Sequence, residues 1–314
     1  MPASSLRVVS YNVRYFGHAL KGLASTRGSK RLIADGLASL DPLPAVICLQ
    51  EVENSSLRSR LADRALRAGE TQLEAFMGEL EFSLDQRGHP FRYQAFYFPA
   101  HVNALGSFAL SSMGLAILVD TSRLSIDRHN VEAPHKITHH HVQRLKERKQ
   151  GRICAHMRLT SKAGTPLHVF NTHLSLPTPF ATDFWTVKDK MGFGVNQLHE
   201  AKTVAAFIQK QAGDEPFFVC GDFNSPPGSP VFKYLTDECG LESVQKKLGQ
   251  IDGVAPRAFP TAGFLRLRMH LDHLFSGNGV QWADLEGTAA FGDKASSFAG
   301  CSDHVPLIGR LRLP

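Results

Sequence analysis

Four short segments at the ends of apolar, strand-length runs carry most of the side chains able to do chemistry: Ser10-Tyr11-Asn12, Gln50-Glu51, Gly221-Asp222-Phe223-Asn224 and Ser302-Asp303-His304. A polar side chain at the end of a buried strand loses hydration unless it meets solvent or a cation, so its repeated placement there points to one shared rim. Glu51 and Asp303 offer carboxylates and Asn12 an amide oxygen. This hard, all-oxygen set suits Mg²⁺, with Mn²⁺ as a substitute, better than zinc or copper. Such an ion keeps several waters and binds substrate phosphate, which directs the reading to phosphoryl chemistry.

Histidine supplies the other half. His173, in Asn171-Thr172-His173-Leu174, and His304 each sit at a strand end, where an imidazole can donate to a phosphoryl oxygen or exchange a proton with water. Asp272, in His270-Leu271-Asp272-His273, is a candidate to orient one of them through its second ring nitrogen. In-line attack of water on a phosphate ester needs a positioned nucleophile, neutralised equatorial charge and a stabilised leaving oxygen. Asp222, the two histidines with Asn224, and an ion at Glu51 would supply these in turn. Singly, each residue has an ordinary explanation as a turn former or surface group; only the joint pattern argues for catalysis.

The elements that must hold these groups are legible as short runs. Leu6 to Tyr11 and Ala45 to Gln50 read as strands, with Ile33, Leu37 and Leu40 at helical spacing between them and Ser29 as a cap. Ser55 or Ser56 is expected to cap a long helix through Leu57, Leu61, Leu66, Leu73, Phe76, Met77 and Leu80. Further strands are predicted at Arg92 to Tyr97, Gly114 to Asp120, Arg152 to Leu159, Leu167 to Thr172, Pro216 to Cys220, Leu271 to Phe275 and Val305 to Leu311, and a helix at Asn196 to Gln211. No repeat or Pro/Gly-rich linker divides the chain, so residues 1–314 are expected to form a single domain with a basic insertion at about 129–152. That insertion contains His135, His139, His140, His141, Arg144, Lys146, Arg148, Lys149 and Arg152.

Composition is globular: 43% hydrophobic and 20% charged residues exclude a disordered, collagenous or coiled-coil chain. No apolar run is long enough to span a bilayer, and the first residues lack the order of a signal peptide, so a cytoplasmic location is expected. The five cysteines are widely spaced and read as buried free thiols. A net charge of +6 favours anionic partners. P-loop, dinucleotide-binding, zincin and serine-hydrolase motifs are absent.

Tyr11-Asn12-Val13, Leu49-Gln50-Glu51-Val52, Asn171-Thr172-His173-Leu174, Gly221-Asp222-Phe223-Asn224, Leu271-Asp272-His273 and Ser302-Asp303-His304 together resemble the ordered signature of the endonuclease/exonuclease/phosphatase superfamily, from Leu6 to Leu313. The resemblance implies an α/β four-layer sandwich, two face-packed mixed β-sheets flanked by helices with the active site at one end. It also implies that Glu51 is the principal metal ligand, supported by Asn12 and Asp303. Asp222 would orient or deprotonate the attacking water and Asn224 would hold a phosphate oxygen. His304, steadied by Asp272, would contact the scissile phosphate with His173 on the other side. Whether Asp222 or a histidine is the base stays open.

Substrate is less determined, because the superfamily's catalytic set names a reaction and not a molecule. The segment from Asn12 to Gly17 is similar to the start of the pancreatic-type deoxyribonucleases, and Arg14 is expected to meet a substrate phosphate, which favours a single ion. Val52-Glu53-Asn54 lacks the basic residue those enzymes place near there for groove contact. Three readings follow. A Mg²⁺-dependent nuclease is favoured by Arg14, the basic insertion and the net charge, with nucleic acid as the phosphate-ester substrate. A lipid- or inositol-phosphate phosphoesterase, sphingomyelinase-like and working at a lipid surface, is suggested by Phe180, Phe184, Trp185 and Phe193 after His173. A catalytically idle binding module is disfavoured by the filled catalytic positions. No obligate protein partner is inferred.

Overall fold

A computed structural model describes residues 5–16, 26–56, 71–105, 108–138, 151–177, 191–251, 260–264, 267–286 and 296–314. Its strands are β1 (Leu6–Asn12), β2 (Val46–Ser56), β3 (Tyr93–Leu105), β4 (Phe108–Asp120), β5 (Leu124–His129), β6 (His135–Lys136), β7 (Ile153–Ser161), β8 (Pro166–His173), β9 (Phe217–Asp222), β10 (Glu242–Ser243), β11 (Ala262–Phe264), β12 (Leu267–Met269), β13 (Asp272–Gly277), β14 (Gln281–Glu286) and β15 (Leu307–Arg312). The longer helices are α1 (Thr26–Ala38), α2 (Gln72–Asp85) and α3 (Val195–Ala212).

Two large sheets form. The first orders its strands β14-β15-β1-β2-β4-β3, the second β10-β13-β9-β8-β7-β5, with β6 added on β7. Each has one parallel pair inside an otherwise antiparallel sheet, β1 with β2 and β8 with β9. Both pairs end in candidate site residues.

Period-two side-chain alternation builds the layers. On β1 and β2, Val8, Val46 and Cys48 turn inward against Ala155, Met157, Val169, Phe218 and Cys220 of the second sheet. The alternate residues Val9, Ile47 and Leu49 turn outward onto Ile33 and Leu37 of α1 and Phe76 and Leu80 of α2. On the second sheet, Phe170, Val219 and Phe275 pack outward against Val204 and Ile208 of α3. Strands buried on both faces read as continuous apolar runs, and each large side chain buried this way contributes about 1.5–3 kcal/mol. The expected four-layer α/β sandwich is the fold observed.

Some local expectations are corrected. Ser55 and Ser56 fall within β2, which continues past Glu51 to pair with β4, and Leu57, Leu61 and Leu66 of the expected helix lie outside the described residues. Leu73, Phe76, Met77 and Leu80 lie on a helix that begins at Gln72 under a capping box, in which Glu74 N–H donates to the Thr71 hydroxyl and Glu74 accepts from Thr71 N–H. Ser29 lies inside the first turns of α1. Strands β5 and β14 were not predicted: β5 is exposed along most of its length and β14 is interrupted by a bulge, so neither carries a clean apolar run. The basic insertion begins as sheet, since His129 ends β5, His135 lies in β6 and stacks on Phe207, and Ile137 is buried. His139 to His141 and Arg144 to Lys149 lie outside the described residues, as do Phe180, Phe184 and Trp185. Cys48, Cys154, Cys220 and Cys301 are buried free thiols, and Cys239 is half-buried.

Candidate active site

Asp222 is the hub. As the last residue of β9 it pairs with His173 of β8 on one side and Asp272 of β13 on the other, so three candidate residues occupy one transverse rung. Gly221 makes the rung possible: its φ is +145°, and a Cβ there would lie 1.9 Å from the Thr172 carbonyl oxygen. Beyond the strand, Asn224 adopts φ +48°, a region asparagine tolerates, and its N–H donates to Asp222 Oδ1 at 2.9 Å.

The first sheet closes the site from the other side. Between Leu49 and Val52 β2 carries one residue more than its partner β4, and Glu51 at this bulge has φ +55°. Bulges re-aim side chains, and a non-glycine residue in this region is strained. Asn12, at the end of β1, donates from Nδ2 both to Glu51 Oε1 at 3.3 Å and to Asp222 Oδ2 at 3.1 Å. Its Oδ1 accepts the Arg14 N–H at 3.0 Å. Asn12 thus presents its amide to both carboxylates, beside the expected metal anchor Glu51. The Arg14 guanidinium, partly exposed, pairs through one nitrogen with Asp303 Oδ2. That pairing engages one of the two oxygens Asp303 could offer a metal.

His304 and Asp272 form a tight pair, with Nδ1 2.8 Å from Asp272 Oδ2, while His304 Nε2 lies 3.8 Å from Asp222 Oδ2. Burial alone would lower the His304 pKa, but Asp272, then Asp222 and Asp303, raise it to about 10. The imidazole is thus a cation at neutral pH. Asp222 is pushed up to about 7, first by burial, then by the Asp272 charge, with Glu51 adding to the rise and His304 and the Asn224 N–H opposing it. His173, whose Nε2 is 3.5 Å from Asp222 Oδ2 and 3.9 Å from Glu51 Oε1, is held neutral by burial and by the Arg152 and His304 charges. Asn224 Nδ2 donates to the Leu174 carbonyl at 2.9 Å and meets His173 Nε2 at 3.2 Å. A phosphate oxygen taking up Asn224 would exchange with His173.

Ligand atoms of Asp222, Asp272 and His304 lie within 4.8 Å of one another. Within this trio His304 Nδ1 is already engaged with Asp272 Oδ2, so it is arranged to hold and move a proton. Glu51 is the better anchor for a divalent cation. It projects from a bulge, is partly open to solvent, and shares its Asn12 donor with Asp222. Glu51, with Asp222 and Asp303 near the same end of the sandwich, gives the carboxylate oxygens that a hydrated divalent ion takes.

Further residues position the set: Gln50 and Asn171 stand within the motifs, whereas Thr261, Gln197 and Glu200 lie outside them. Buried Gln50 of the first sheet donates to Asn171 Oδ1 of the second at 2.8 Å, and Asn171 Nδ2 donates to the Leu49 and Ala116 carbonyls. The Thr261 hydroxyl accepts the N–H groups of Leu271 and Asp272. Gln197 in α3 donates to the Asn224 carbonyl at 2.9 Å and accepts from Gly192 and Gly194 N–H, while Glu200 one turn on accepts both the N–H and hydroxyl of Ser175. A Gln-x-x-Glu pair on the helix face towards the core is the signal available for the last two.

The model of the Endonuclease/Exonuclease/phosphatase family matches residues 9–304, a span that holds every candidate site residue from Asn12 to His304. The chain belongs to this family. Endonuclease/exonuclease/phosphatase members are phosphoester hydrolases, and so is this chain. No curated protein matches it by sequence. Among solved structures it is similar to the human Nocturnin catalytic domain with bound sulfate anion, at 20% identity and a TM-score of 0.64 over 99% of this chain and 95% of that one. It is also similar to ANGEL2, a 2′,3′-cyclic phosphatase, at 17% identity and 0.65 over 100% and 96%, and to a humanized D. rerio TDP2 at 17% and 0.56 over 98% and 99%. At these identities the likeness concerns the fold.

Proposed function

We propose that this endonuclease/exonuclease/phosphatase-family protein is a Mg²⁺-dependent phosphodiesterase whose substrate is a nucleic acid or a fragment of one. The observation that carries the reading is the His173–Asp222–Asp272 rung, capped by His304 and faced by Glu51. Glu51 would hold the ion, with Asp303 close by on Arg14. When bound, the ion supplies charge neutralisation at the phosphoryl group and leaving oxygen.

The chain's own groups do the rest. Asp222, with a carboxyl pKa near 7, is matched to taking a proton from water at neutral pH. His304, kept cationic and aimed by Asp272, donates to a phosphoryl oxygen as charge develops there. Asn12 keeps Glu51 and Asp222 from separating by donating to both.

Nucleic acid is favoured over lipid because a net charge of +6 suits a polyanion; the aromatic segment that suggested a lipid surface lies mostly outside the described residues. The test is a panel of plasmid DNA, single-stranded DNA, RNA, sphingomyelin and inositol phosphates, each with Mg²⁺ and with chelator. Chelator-sensitive cleavage of a polynucleotide, falling steeply with salt, is the expected result. Turnover confined to sphingomyelin or inositol phosphates overturns the substrate assignment.

A further inference from the structure

Arg152 belongs to none of the motifs that build the rung. It immediately precedes β7, and its backbone is fixed by Thr138 and Ile137. Its N–H donates to Thr138 Oγ1 at 2.6 Å, and its carbonyl accepts from the Ile137 N–H at 3.0 Å and from the Thr138 hydroxyl at 3.2 Å. Its guanidinium Nε is buried and meets no hydrogen-bond partner. Among the described residues no carboxylate pairs with it, whereas Arg7, Arg14, Arg158 and Arg310 each hold one. A buried donor left unmet is costly, and such exceptions mark places where a missing group belongs.

The cleft that Arg152 lines shows where that group would lie. Its walls include Glu51 and His173, then Met113, Leu115 and Ile153, and do not include Asp222, Asp272 or His304. The cleft therefore adjoins the site on its Glu51 and His173 side. Its lining joins apolar side chains to the Arg152 guanidinium, with Glu51 and His173 at one side, and its volume of about 20 Å³ is room for about one water, so an anion on Arg152 would sit at the mouth with the rest of its molecule outside. A choline headgroup would bring positive charge towards Arg152.

We propose that Arg152 is a specificity residue that binds a second phosphate, one nucleotide unit from the scissile one, so that flanked phosphodiesters are selected over unflanked ones. This rests on the phosphodiesterase reading above for the location of the scissile phosphate. A guanidinium offers the forked donors that a phosphate accepts, which a lysine does not reproduce.

The test is equilibrium binding in chelator, where turnover plays no part. The probes are thymidine dinucleotide without a terminal phosphate, the same dinucleotide bearing a 5′- or a 3′-phosphate, and inositol bisphosphate. The wild-type protein is expected to bind one of the two phosphorylated dinucleotides at least tenfold more tightly than the plain one. Arg152→Gln should bring that ratio to near unity, and Arg152→Lys should leave it intermediate, which serves also if the glutamine variant fails to fold. A wild-type ratio near unity, a ratio unchanged in Arg152→Lys or Arg152→Gln, or tighter binding of inositol bisphosphate overturns the proposal. Turnover of the dinucleotides with Mg²⁺ is measured separately: its absence beside an intact binding preference counts against the phosphodiesterase reading and for the Arg152 contact.

Discussion

His304 bridges two carboxylates that face each other across a single antiparallel rung: Nδ1 is 2.8 Å from Asp272 and Nε2 is 3.8 Å from Asp222. One imidazole proton is thereby committed to orientation and the other is left on the side where chemistry occurs.

Asp272→Asn keeps an acceptor for the His304 Nδ1–H but removes the charge that raises the imidazole pKa to about 10. The expected outcome is a loss in kcat of about 10²-fold or more. The alkaline limb of the kcat/KM profile should also move to lower pH, because the protonated form is lost earlier. A pH profile of the variant checks this; an unmoved alkaline limb assigns Asp272 to structure alone.

The Asp222 carboxyl, raised to about 7 from an ordinary value near 4, holds its proton more tightly in the folded state than in the unfolded one. By linkage this group contributes a loss of stability in the metal-free protein as pH rises from about 4 through 7. A cation at Glu51 offsets that loss. The rise in Tm on adding Mg²⁺ to chelated protein should therefore be larger at pH 8 than at pH 5.5, and Asp222→Asn should flatten the difference. Equal shifts at both pH values contradict it. The buried, neutral His156, lowered to about 3 by burial, His168 and Arg128, acts in the opposite direction, costing stability as pH falls below about 6.5, where the unfolded imidazole is protonated. It responds equally with and without metal.

Gln197 ties the Asn224 carbonyl to the Gly192 and Gly194 amides. Gln197→Ala leaves buried groups unpaired, at about 1–3 kcal/mol for each, and frees a backbone held at φ +48°. Gln197→Glu retains the acceptor for the two glycines and loses the donor to Asn224. If Gln197 positions Asn224, the glutamate variant keeps most of the Tm and loses kcat with little change in KM. Parallel losses of Tm and kcat in both variants assign Gln197 to stability only.

Gly221→Ala places a methyl group against the Thr172 carbonyl, at a φ that side chains rarely adopt. We expect about 3 kcal/mol of destabilisation, read as a lowered denaturation midpoint. A change under 1 kcal/mol would show that the rung adjusts without cost.

The sequence made the fold legible where strands bury both faces, as in Val8-Val9 and Val46-Ile47-Cys48-Leu49, because burial leaves a continuous apolar run. It made the site legible through residue types at strand ends, which is how Glu51, His173, Asp222, Asp272 and His304 are found together. It did not give side-chain partners. Arg14 and Asp303 are 289 residues apart and meet only in the folded chain. The Asn12 oxygen turns to a neighbouring N–H because the carboxylates need its hydrogens. Gln197 and Glu200 look like any polar residues on a helix until the tertiary fold buries them. Likewise, Ser55 and Ser56 match a local capping pattern, while their backbone is held in β2 by its pairing with β4.

The central claim is that Glu51 and Asp222 serve one metal-dependent centre. The most direct measurement is hydrolysis of bis(4-nitrophenyl) phosphate by the wild type, Glu51→Gln and Asp222→Asn, each with Mg²⁺ and with chelator and each verified as folded by circular dichroism. Chelator-sensitive turnover in the wild type, with a loss of about 10²-fold or more in both variants, is the predicted result. Full activity in either folded variant, or wild-type turnover indifferent to chelator, would contradict it.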